Sequence, residues 1–81
     1  MLPFDVDRVR IIVSKHFRNT WMKRWDWDHL DLREAIREAH NVSRVGRAKW
    51  DIFIRKKGPK KLVLVYDAAR GEVFVITGAK G

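Results

Sequence analysis

The densest chemistry in the chain is Arg55-Lys56-Lys57-Gly58-Pro59-Lys60-Lys61, five cations around a Gly-Pro turn. Five like charges repel one another, and a tight hairpin does not need them. The run therefore reads either as a solvated loop guarding a sheet edge or as a seat for phosphate. More cations follow the same logic at Arg47 and Lys49 and, late in the chain, at Lys80. Metal-free RNA cleavage needs a group to withdraw a 2′-hydroxyl proton, one to protonate the leaving oxygen and cations to hold the phosphorane charge. His16, Lys49, Arg47, Arg55, Lys61 and Lys80 are the groups available for such chemistry. The expected nucleic-acid contacts are Arg47, Arg55, Lys56, Lys57, Lys60 and Lys61. The bland alternatives are a half-buried helix position for His16 and solvated rim charges for Arg47 and Lys49.

Aromatic side chains can stack on bases, since every base offers a π-face. Trp21, Trp25 and Trp27 are available for this. Trp21 and Trp25 fall on an apolar stripe and read first as core, which leaves Trp27 as the freer one. His16, His29 and His40 with Asp26, Asp28 and Asp31 match no metal-ligand spacing, and helix capping explains the aspartates better. No metal and no cofactor is expected. A glycine-rich phosphate loop, a Ser-His-Asp signature and an RNP-like aromatic pair are all missing from the sequence.

The chain has 81 residues, enough for one small domain spanning 1–81. Its 46% hydrophobic content, with four Trp and four Phe, supports a folded core rather than disorder. There is no cysteine, so disulfides and thiolate metal sites are excluded. No signal-peptide pattern and no membrane-length apolar run occurs, so the cytoplasm is the expected compartment. Glutamine is absent too, and charged residues reach 35%, a mixture that leans toward a heat-adapted source. The net charge of +8 is unevenly placed. Residues 1–40 hold eight Lys/Arg against seven Asp/Glu, whereas residues 41–81 hold ten against three. A one-sided basic field points to a polyanion, RNA foremost, or to an acidic protein. No helix has the basic and bulky apolar faces needed to lie on a membrane.

The elements that must carry these groups follow from periodicity. Trp50–Arg55, Leu62–Tyr66 and Glu72–Thr77 are short runs rich in β-branched and aromatic residues, and they read as a three-stranded antiparallel meander. Leu62–Tyr66 is apolar on both alternating faces, so it is expected to be central. Upstream, Val6, Val9, Val13, Phe17, Trp21 and Trp25 recur at helical spacing and predict one long helix capped by Asp5 or Asp7. The β-branched cluster from Val9 to Val13 supports a rival reading, a strand followed by a shorter helix capped by Ser14. A second helix is expected from an Asp28 cap to about His40. Val42–Lys49 then forms a short extra strand or an arm, and Gly78–Gly81 a mobile tail. Two helices cover only one face of such a sheet, so the other face is left for a partner or a second copy.

In this order the chain resembles the RelE/ParE/BrnT superfamily of small toxins, and most closely its short Ser-x-His branch. The likeness rests on Gly46–Arg55, on Gly58 and Leu62–Tyr66, on Val73–Lys80, and on Ser14-Lys15-His16. It implies an α+β fold, RelE-like, with two N-terminal helices packed on one face of a three- to four-stranded antiparallel sheet. RelE-type members cut messenger RNA in the ribosomal A site, and ParE-type members act on gyrase. The resemblance puts Lys61 and Lys80 where RelE-type members carry functional arginines, and it implies a catalytic set of Lys61, Lys80, His16 and Lys49. Asp51 and Phe53 stand where those members pair lysines. Two functions are therefore expected side by side: a toxin-like, ribosome-dependent endoribonuclease, or a non-catalytic RNA- or protein-binding module. The partners implied are RNA or the ribosome, and an acidic antitoxin.

Overall fold

Alternating burial builds the sheet first. In the computed structural model, which describes residues 2–80, five strands form one mixed sheet in the order β1-β5-β4-β3-β2. They are β1 (Arg10–Val13), β2 (Asn41–Arg44), β3 (Lys49–Ile54), β4 (Lys60–Asp67) and β5 (Glu72–Lys80). Strands β2 to β5 pair antiparallel in sequence order. Strand β1 joins β5 in parallel, with Ile11 opposite Val73 and Val13 opposite Val75. Leu62 and Leu64 on the central strand are fully buried, as are Ile52, Val73 and Val75 on its neighbours.

Two short helices cover this buried face. Helix α1 occupies residues 15–25, wound as a π-helix over Phe17–Met22 and as an α-helix over Lys23–Trp25. Asp26 ends it in the left-handed region at φ 57°. Helix α2 (His29–Arg37) starts on a capping box: Asp31 N–H donates to the Asp28 carboxylate, and Asp28 N–H donates to that of Asp31. Phe17, Leu32, Ala35 and Ile36 have no exposed surface and close the core against the sheet. Neither helix is long and apolar enough to cross a membrane.

Two helices on a three- to four-stranded antiparallel sheet is therefore not the architecture. The sheet has five strands, one pair is parallel, and strands dominate. The long first helix is replaced by β1 and a shorter helix, because the β-branched run favours extended backbone. Ser14 marks the switch: its Oγ accepts from Phe17 N–H at 3.0 Å and donates to Ile76 C=O at 2.6 Å. Ile76 is the bulged residue, since Val63 pairs with Thr77 while Leu64 pairs with Val75. Helix α2 stops at Arg37 rather than near His40, whose N–H instead donates to Phe53 C=O. The Val42–Lys49 segment supplies the extra strand β2. The expected tail is strand as far as Lys80; Gly81 and Met1 lie outside the described residues.

Candidate nucleic-acid interface

The β3–β4 turn is held from inside. Lys57 and Gly58 both adopt positive φ, 55° and 104°, which tightens the reversal. Lys60 is in phase with Leu62 and Leu64 and so points to the core face, where it is 7% exposed. Its ammonium donates to Lys56 C=O at 2.6 Å and to Lys57 C=O at 2.8 Å. It also lies 5.5 Å from the Trp25 ring centroid and 5.8 Å from that of Trp27. Burial, and then the Lys57 charge, pull the Lys60 ammonium below its usual range; the carbonyls oppose this by favouring the charged form. Lys56 is also occupied, with its Nζ 3.9 Å from Asp31 Oδ1 and from Glu34 Oε2 on α2.

This separates the cationic run into two groups. Lys56 and Lys60 fix the turn to the helices and the aromatic layer. Among the described residues, Arg55, Lys57, Lys61 and Lys80 form no ion pair. Pairing gathers these four at one end of the sheet, because Lys60 is opposite Lys80 and Lys61 opposite Ala79. Lys61 faces the side of the sheet without helices, and Lys80 faces the helix side.

The remaining expected residues lie elsewhere. Arg47 and Lys49 belong to the β2–β3 end, about 20 Å away along β3 at ~3.3 Å per residue. There Arg44 braces the loop by donating to Gly46 and Arg47 carbonyls. His16 is exposed at the start of α1, just after the Val13–Val75 pair. Lys61 and Lys80 are thus register neighbours on opposite faces of the sheet, and Lys49 stands four residues along β3, about 13 Å, from the level of Lys61. No group of three or more metal-ligating side chains forms among the described residues.

One concave feature adjoins the free cations. A cleft of about 460 Å³ is lined by Trp25, Lys57, Gly58, Pro59, Lys60 and Lys80. Trp25 is half-buried and packs against Trp27 at 4.8 Å, Trp21 at 5.3 Å and the edge of Phe17 at 6.0 Å between ring centroids. The expectation that Trp27 would be free is reversed. The left-handed turn at Asp26 sends Trp27 under the layer, where it is 6% exposed, and leaves Trp25 at the cleft. The inward course of Lys60 was available from its phase with Leu62, but charge patterning hid it.

No family model matches the chain, and neither does any curated protein or solved structure.

Proposed function

We propose that the chain is a non-catalytic RNA-binding module that grips the phosphates of a single strand with Arg55, Lys57, Lys61 and Lys80. The observation that carries this reading is the gathering of four unpaired cations at one end of the sheet, beside a half-buried indole. Phosphate neutralisation by Lys and Arg supplies sequence-independent affinity. An adjacent aromatic face adds a stacking surface of the kind used by single-strand binders. Binding is favoured over cleavage because Lys49 stands four residues along β3 from the level of Lys61, and Lys61 and Lys80 point to opposite faces, an arrangement that suits a strand better than one reacting phosphate.

The test is fluorescence anisotropy with a labelled RNA oligomer, comparing the wild-type chain with Arg55→Ala/Lys57→Ala/Lys61→Ala/Lys80→Ala. The variant is expected to bind more weakly with a flatter salt dependence, and the RNA recovered from both is expected intact. Unchanged affinity and salt slope in the variant would move the interface elsewhere. Cut RNA that stays whole with Lys61→Ala would replace binding by a ribonuclease reading.

A further inference from the structure

We infer that the cleft beside Trp25 receives one unstacked base of the bound strand, with Lys57 and Lys80 on its flanking phosphates. This rests on the RNA-binding reading and adds which part of the RNA enters the fold and where.

The chemistry of the walls selects the occupant. At about 460 Å³ the cleft falls in the size range of sites for small planar groups. Its apolar surface comes from the Trp25 indole and Pro59, and its charge from lysines, with no carboxylate among the lining residues. An apolar occupant would desolvate ammonium groups without pairing them. An acidic peptide would use the lysines and leave the indole idle. A nucleotide uses both, its base against the ring and its phosphates on the amines.

The aromatic wall of the site is also packed in place before any ligand arrives. Trp25 is fixed by Phe17, Trp21 and Trp27, and it sits so close to Gly78 that a Cβ there would lie 2.7 Å from its Cη2. Lys60 anchors the Lys57 carbonyl from below, so the left-handed Lys57 is held at the rim of the cleft. A platform that needs no ordering loses less affinity on binding.

The experiment compares a labelled RNA 8-mer, an abasic 8-mer with the same phosphates, and free adenosine monophosphate. Each is titrated against the full chain by anisotropy or by tryptophan quenching. The base-bearing chain is expected to bind about tenfold tighter than the abasic one and to quench tryptophan emission. Trp25→Leu is expected to remove that tenfold difference while keeping the salt slope. Trp25→Phe, which keeps an aromatic face, is expected to retain most of the affinity and lose part of the quench. Equal affinity for both 8-mers, with no quench, would overturn the base cleft and leave the cationic rim intact. Failure of both 8-mers to bind would overturn the RNA reading itself. A quench saturated by adenosine monophosphate as readily as by the 8-mer would assign the cleft to a free nucleotide instead.

Discussion

At the scale of single residues, Gly78 and Lys60 do the least expected things. Gly78 lies within β5, and its φ is not positive. What requires glycine is the aromatic layer: a Cβ would meet Trp25 Cη2 at 2.7 Å, Phe17 Cε1 at 3.2 Å and Trp21 Cγ at 3.3 Å. These are ring atoms of a packed cluster, not flexible tips. Gly78→Ala is therefore expected to cost about 1–3 kcal/mol by overpacking, read as a lower urea midpoint. Lys60 works in the opposite sense, as a charge that organises its own turn. Lys60→Met removes the donor to the Lys56, Lys57 and, at 3.4 Å, Gly58 carbonyls and is expected to cost about 1–3 kcal/mol. It should also alter the pH response. The folded ammonium has a pKa below the usual 10.5, so between the two values the unfolded chain binds more protons. Wild-type stability should then gain from this group as pH rises toward 10.5 and lose it as pH falls through the folded pKa. Lys60→Met should lack that component, and parallel urea midpoints against pH would refute the assignment. Its alternation with Leu62 made the inward course of Lys60 legible, whereas the run of neighbouring lysines pointed the other way.

At the scale of elements, Ser14 and Asp28 decide where helices begin. The apolar spacing Val6, Val9, Val13, Phe17 fits one helical stripe. Val6, Val9 and Phe17 are indeed buried, but in a turn segment and a later helix rather than on one continuous helix. Periodicity reports which side chains reach the core, and several chain paths can satisfy it. Here the local evidence lay in the β-branched run and in Ser14, which breaks strand from helix. Ser14→Ala loses both the cap to Phe17 N–H and the donor to the bulged Ile76 carbonyl. A destabilisation of about 1–2 kcal/mol is expected, the upper part of the range for a lost cap, measurable by thermal melting. The meander β3–β4–β5 was legible because each pairing is local and its turn residues are explicit. The β1–β5 pairing was not, since it joins Ile11 to Val73 in parallel across the whole chain with no turn to fix its register. Helix α2 offers an acid test. Asp31 N–H, bonded to Asp28, holds the Asp28 carboxyl below its ordinary 3.8. The contribution of this cap is thus present above that value and lost as pH falls through the lower folded pKa. Asp28→Asn keeps a capping oxygen without the titration. Its acid unfolding should show a shallower pH dependence than wild type; superimposable curves would remove Asp28 from the acid response.

At the scale of the whole molecule, the excess of positive charge is less informative than its division between the two ends of the sheet. The chain carries +8, but Lys56 is matched by α2 carboxylates and Lys60 is turned inward. Four unpaired cations at the β3–β4 end remain, and the proposed RNA-binding reading assigns them to phosphate. For a single strand the logarithm of affinity falls with the logarithm of salt by about 0.7 per neutralised phosphate. Four contacts therefore imply a slope near −3, roughly −0.7 times four. Along β3, Lys49 lies about 20 Å from Arg55 and about 13 Å from the level of Lys61, which pairs with Phe53. Both separations exceed the Debye length at physiological salt, ~8 Å, so the field of Arg47 and Lys49 is largely screened at the first end. For a short RNA, Arg47→Ala/Lys49→Ala should leave the slope near −3, whereas removing Arg55, Lys57, Lys61 and Lys80 should bring it close to zero. The comparison also discriminates two paths for the strand. If both variants flatten the slope equally, the RNA runs the length of β3, over the face that carries Phe74, 41% exposed, instead of stopping at the turn. Asp51 then lies midway along that path, in the β3 position opposite Val63. A carboxylate there repels phosphate, and Asp51→Asn would strengthen binding only if the strand crosses it. If the proposed RNA binding holds, the two salt slopes and the sign of that one substitution distinguish these two courses over the sheet.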